Sequence, residues 1–111
     1  MRHENLRCYR RLIYTAEGLA KRMTRWPRGY SNLTDQLRRA MASSILNVAE
    51  GNGKRNSHVE RRRFFDIAMG SVAEVSASLD VARAFGLISE RDCESFKSEL
   101  RLAYFEIRAL P

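Results

Sequence analysis

Apolar residues recur along this chain at intervals of three and four, the spacing that lines one face of an α-helix. Leu6, Tyr9, Ile13, Ala16, Ala20 and Met23 follow a 3-4-3-4-3 pattern. Leu12 and Leu19 widen the stripe to the face a bundle helix needs. Trp26-Pro27 ends the segment, because the residue before proline is pushed out of the α region. A second segment carries Leu33, Leu37, Ala40, Met41, Ile45, Val48 and Ala49. Ser31 or Asn32 is its expected cap, and Gly51 its expected stop, in the left-handed conformation that closes many helices. A polar loop, Asn52 to Asn56, follows. Ser57-His58-Val59-Glu60 has the pattern of a capping box and opens a third helix. Along it Phe64, Ala68, Ser71, Val75, Ser78, Ala82 and Phe85 repeat 4-3-4-3-4-3 as far as Gly86. About 28 residues there predict a rod of roughly 40 Å. Ser89-Glu90-Arg91-Asp92 starts a fourth helix, with Cys93, Phe96, Leu100, Ala103, Ile107 and Leu110 spaced 3-4-3-4-3.

No segment alternates with period two for long enough to predict a strand. The expected fold is all-α: an up-down-up-down antiparallel four-helix bundle with short connections. At 111 residues the chain closes one core, so residues 1–111 are expected to form a single domain. The second and third helices are rich in Ala, Ser and Gly. Gly70 costs about 1 kcal/mol relative to alanine inside a helix. That cost predicts a close backbone approach at Gly70, within the bundle or between protomers.

Composition narrows the class of protein. Hydrophobic residues are 44% and charged residues 30% of the chain, so it is not disordered. No apolar run approaches the roughly 20 residues that cross a bilayer, so no membrane role is expected. The start, Met1-Arg2-His3-Glu4-Asn5, leads into no apolar signal segment, so a cytoplasmic location is expected. Cys8 and Cys93 lie far apart with no CxxC pair, which indicates neither a disulfide framework nor a zinc site.

Charge adds a direction. The chain holds 20 Lys and Arg against 13 Asp and Glu, a net +7, and 17 of the basic residues are Arg. The balance is +6 over residues 1–30, +4 over 31–63 and −3 over 64–111. Arginine grips phosphate and carboxylate bidentately and stacks on planar groups, so the bias suits nucleic acid or an acidic protein surface. Arg38 and Arg39 fall on the second helix, and Arg61, Arg62 and Arg63 within one turn of the third. Gly51-Asn52-Gly53-Lys54-Arg55 precedes a helix start, a setting in which backbone N–H groups can hold a phosphate. It lacks the GxxxxGK[ST] spacing of a nucleotide-hydrolysing loop. Arg38, Arg39, Lys54, Arg55, Arg61, Arg62 and Arg63 are therefore the candidate phosphate contacts.

Catalytic chemistry finds little support. Asn47 with Glu50, and Ser71 with Glu74, are i,i+3 neighbours beside the apolar stripes. The Glu-x-x-His motifs of carboxylate-bridged metal bundles are absent, so no metal and no cofactor are expected. His3 and His58 are the only histidines, and no nucleophile–base pair stands out.

The stretch Leu33-Thr34-Asp35-Gln36-Leu37-Arg38-Arg39-Ala40, then Ser44-Ile45 and Asn47-Val48-Ala49-Glu50-Gly51-Asn52-Gly53-Lys54, resembles the family of 23S ribosomal RNA intervening-sequence proteins. So do Glu60, Arg63-Phe64, Ile67-Ala68-Met69-Gly70-Ser71 and Glu74. Lys54 stands where that family commonly has Arg, and Met41-Ala42-Ser43 where many members have a Val-rich segment. The likeness covers most of residues 6–88, and the last helix matches only in character. It implies a four-helix bundle that assembles as a homopentamer. It also implies a kinship with the accessory variability determinants of diversity-generating retroelements, which bind a reverse transcriptase and nucleic acid. Asn47, Glu50, Gly51, Gly53, Glu60, Gly70, Ser71 and Glu74 are the signature positions the resemblance picks out, expected to build the fold.

The expected function is a non-enzymatic, basic, oligomeric scaffold that binds RNA or a nucleic-acid-containing complex. The alternative is a protein-interaction adaptor whose basic face meets a reverse transcriptase or another acidic partner.

Overall fold

The computed structural model describes residues 2–111, and among them there are four α-helices and no strand. A 3-10 turn (Arg2–Asn5) leads into α1 (Arg7–Met23). A second 3-10 turn (Arg28–Tyr30) leads into α2 (Ser31–Gly53), followed by α3 (His58–Ala84) and α4 (Glu90–Arg108). The helices form an elongated four-helix bundle of 45 × 23 × 21 Å. Its most extensive packing is between α2 and α3. Among the described residues no helix is long and apolar enough to cross a membrane.

Leu12, Leu19, Leu37, Val48, Phe65, Val75, Leu79, Leu100 and Ile107 make the fully enclosed centre. The buried face of α1 differs from the expected stripe. It runs through Cys8, Leu12, Thr15, Leu19 and Met23, while Ile13 and Ala20 are exposed. Thr15 can join it because its hydroxyl donates to the Arg11 carbonyl at 2.8 Å, which leaves no polar group unsatisfied. On α3 the face shifts by one position at two places. Phe65 rather than Phe64 is buried, and Val72 rather than Ser71. Ser71 instead faces α2, 2.8 Å from the Ser43 hydroxyl. Phe85 lies just past the helix end and is 61% exposed. On α4 the expected face holds, with Cys93, Leu100, Ala103 and Ile107 buried.

Three helix ends match the chemistry of their residues. The Ser57 hydroxyl accepts from the Glu60 N–H at 3.2 Å, and the Ser89 hydroxyl accepts from the Asp92 N–H at 3.0 Å. Gly86, at φ 76°, closes α3: its N–H bonds to the Arg83 carbonyl and the Leu87 N–H to the Ala82 carbonyl. Two ends do not match. Neither Ser31 nor Asn32 caps α2; the helix runs straight out of the preceding 3-10 turn, and Thr34 donates back to the Tyr30 carbonyl at 3.1 Å. Gly51 is not a left-handed stop either, because α2 continues through it to Gly53. A Cβ at Gly51 would stand 2.6 and 2.7 Å from two Phe65 ring carbons and 3.2 Å from the Arg61 carbonyl oxygen. The glycine is there because α3 comes too close for a side chain.

Candidate functional site

The fold gathers four stretches of chain at one end of the bundle: residues 2–6, the end of α2 with Lys54–Ser57, the first turns of α3, and Leu110-Pro111. Two clefts adjoin there. One, of about 690 Å³, is lined by Val59, Arg62, Arg63, Phe65, Asp66 and Leu110, with His58, Arg61 and Pro111. The other, of about 590 Å³, is lined by Arg2, Asn5, Leu6, Asn52 and Arg55, with the same His58, Arg61 and Pro111. Five arginines and a histidine thus line the pair against one acidic side chain, Asp66. Clefts lined by one sign of charge focus the field and draw in ions of the opposite sign.

The arginines at residues 61–63 do not act as one block. Arg61 donates through Nη1 to the Gly51 and Asn52 carbonyls at 3.3 and 3.2 Å, capping α2. Its Nε donates to the Pro111 carbonyl at 2.7 Å. Arg62 reaches Leu110 through Nη1 at 3.5 Å, and its Nε lies 3.4 Å from an Asp66 carboxylate oxygen. Neither Nε nor Nη2 of Arg62 has a hydrogen bond, although both are out of solvent. Such donors cost about 1–3 kcal/mol when left unpaired. Arg63 grips Glu60 at 2.9 and 3.3 Å, which holds the Glu60 carboxyl below its usual range. The guanidinium groups also lie over rings: Arg61 and Arg62 over Phe65 at 5.1 and 5.4 Å, Arg63 over Phe64 at 4.5 Å.

Lys54 sits 5.5 Å over Phe64 and 4.0 Å from Glu50, and Arg55 is exposed at the second cleft. Arg38 and Arg39 are exposed on α2, with Arg38 3.9 Å from Asp35. Neither lines the clefts, so the seven candidates do not form one patch. The glycine-rich phosphate loop is also absent, since Gly51 and Gly53 both belong to α2. Arg2 and the Leu110-Pro111 segment are not among the seven candidates, although the expected up-down-up-down order would by itself bring the start of α1, the α2–α3 turn and the end of α4 to one end.

The other signature positions divide. Asn47 donates within α2, to the Ser43 carbonyl at 2.8 Å and the Ser43 hydroxyl at 3.1 Å, and it is the Ser43 hydroxyl, 2.8 Å from that of Ser71, that ties α2 to α3. Glu50 and Glu74 are exposed, and Gly53 has open space around it. A Cβ at Gly70 would meet nothing within 4 Å, so the expected close approach does not occur within the chain. Gly70 instead belongs to an uncovered strip along the back of α3, Ile67-Gly70-Glu74-Ala77-Val81-Ala84, again at spacings of three and four. Ile67 and Val81 are 41% and 42% exposed on it.

Elsewhere the polar groups serve the fold. Arg11, between α1 and α4, donates to both Glu106 oxygens at 2.9 Å and to Glu99 at 2.7 Å. Cys8 and Cys93 are free and buried, and burial pushes the Cys8 thiol up to about 11. Among the described residues no three His, Cys, Asp or Glu side chains are grouped to hold a metal ion.

Residues 4–104 match the family model described as 23S rRNA-intervening sequence protein, a span that takes in part of α4 as well as α1 to α3. None of the curated proteins matches the chain.

Proposed function

The chain belongs to the 23S rRNA-intervening sequence protein family, and on that footing we propose that it is a non-enzymatic, self-associating scaffold that binds RNA through the basic end of its bundle. The observation that carries this reading is the pair of clefts lined by five arginines and one histidine, with Asp66 the one acidic side chain among the lining residues. Arginine forks fit phosphate oxygens, and stacking on Phe64 and Phe65 holds three of them in place. Several copies would bring several such ends to one polyanion and multiply a weak contact.

The scaffold is read as an up-down-up-down bundle. Support comes from Tyr30 against Phe85, Ser43 against Ser71 and Gly51 against Phe65, and from Arg11 against Glu106 and Arg22 against Asp92. Self-association is supported by the uncovered strip on the back of α3, apolar or small at every position but Glu74, and the number five by the family resemblance alone.

The test is binding of the purified chain to labelled RNA and DNA, followed by anisotropy across a salt series. RNA binding whose logarithm falls linearly with log salt is expected, with a slope of about −0.7 per phosphate engaged on a single strand. Arg55→Glu, on an exposed residue, should lower affinity and flatten the slope while leaving the melting temperature unchanged. Absence of binding at low salt would overturn the reading and turn the basic end toward an acidic protein partner.

A further inference from the structure

The two clefts differ in character, and the difference points to a particular form of nucleic acid. The cleft beside Arg2 and Arg55 offers charge and amides. The larger one has largely apolar walls from Val59, Leu110 and Pro111, with Asp66 and Arg62 Nη2, a donor with no hydrogen bond, beside them. Val59 is 79% exposed there, in the first turn of α3. An apolar wall gains nothing from the phosphates of a duplex, whose bases are paired and stacked inside. It gains from a base turned out of the stack. His58 stands exposed where the clefts meet and offers a flat face for that base.

We infer that this end of the bundle holds an unpaired nucleotide of a single strand. The base enters the cleft of Val59, Leu110 and Pro111 and stacks on His58, and its phosphates run across Arg55 and Arg61. The cleft volume of about 690 Å³ falls within the range of small-ligand sites. The inference rests on the nucleic-acid reading and sharpens it to single strands.

The experiment uses the full chain, a labelled RNA oligonucleotide, and the same oligonucleotide annealed to its complement, at one salt concentration. Nucleoside 5′-monophosphates and ribose 5-phosphate serve as competitors. The single strand should bind about tenfold more tightly than the duplex, within the scale of one base-stacking contact. Nucleoside monophosphates should displace it at about tenfold lower concentration than ribose 5-phosphate. Val59→Ala, on the apolar wall, should remove most of the preference for single strands and leave duplex affinity unchanged, and His58→Ala should lower single-strand affinity far more than duplex affinity. Equal binding of strand and duplex, with ribose 5-phosphate competing as well as nucleotides, would overturn the base site and leave the scaffold reading standing. No binding of either form overturns both.

Discussion

Gly51→Ala isolates the contact that sets the distance between α2 and α3. The added methyl carbon would stand 2.6 and 2.7 Å from two Phe65 ring carbons. Carbon atoms in contact prefer about 3.5–4.0 Å, so the overlap is close to 1 Å. The ring has nowhere to go. Phe65 is fully buried, and Arg61 and Arg62 lie over it at 5.1 and 5.4 Å. The third neighbour, the Arg61 carbonyl oxygen at 3.2 Å, is backbone and cannot rotate aside. Overpacking of this kind costs about 1–3 kcal/mol. Alanine returns about 1 kcal/mol through its higher helix propensity. The backbone contact places the clash toward the upper end, so the net loss is about 1–2 kcal/mol. For a chain of this size that lowers the melting temperature by roughly 5–10 °C. Thermal and urea melts should be run at one protein concentration, since self-association would itself shift the midpoint. Gly70→Ala is the matched control, the same change inside a helix with nothing within 4 Å. Adding Phe65→Leu should relieve the clash, so Gly51→Ala costs less in that background, as a double-mutant cycle would show. If Gly51→Ala melts as high as the parent chain, glycine is not at residue 51 for want of space.

Gly70→Ala should raise the stability of the isolated chain by up to about 1 kcal/mol. It should at the same time weaken self-association in sedimentation velocity if protomers meet closely along the back of α3; unchanged assembly would remove that strip from the interface. Arg11→Met should cost about 2 kcal/mol in a urea melt, because it leaves the half-buried Glu99 and Glu106 carboxylates without their shared partner. A loss under about 0.5 kcal/mol would class the network with ordinary surface pairs. Cys8 should resist alkylation in the folded chain at pH 8, because its thiol is held near 11 against an ordinary 9.0. A raised thiol pKa means that the unfolded chain ionises first, so Cys8 costs stability as pH rises from about 9 toward 11. Rapid labelling of Cys8 under native conditions at pH 8 would contradict its burial.

The number and order of the helices were legible because period-3.6 patterning and end signals agree at most boundaries. Ser57, Gly86 and Ser89 each do what their chemistry predicts. The faces were less legible on α1 and α3, for a common reason. Cys8 and Thr15 lie off the 3-4 stripe that starts at Leu6, yet a thiol and a self-bonded hydroxyl bury readily. On α3, two adjacent phenylalanines allow two registers that periodicity alone cannot separate. Only Phe65 meets a glycine on the facing helix, and the pairing of Gly51 with Phe65 settles the register. Gly51 itself carried an ambiguous signal. A glycine near a helix end serves as a left-handed cap or as a close-contact point, and the deciding fact is what packs opposite.

The candidate site was legible in composition and illegible in geometry. Three successive arginines on a helix point about 100° apart, so a run of charge in sequence is a divergence in space. Arg61 turns back to the end of α2, Arg62 toward Leu110, and Arg63 to Glu60. What reunites charge at the bundle end is tertiary structure. Residues 2–6 and 110–111 meet the start of α3, and Arg2 joins Arg55 and Arg61 across one cleft. Arg61 is therefore shared between fold and site, bonded to three carbonyls while facing both clefts. A phosphate taken by Arg61 must compete with those carbonyls, whereas one taken by Arg55 competes with none of them. The ordering that follows is physical: charge removal at Arg55 is felt in binding alone, and charge removal at Arg61 in binding and stability together.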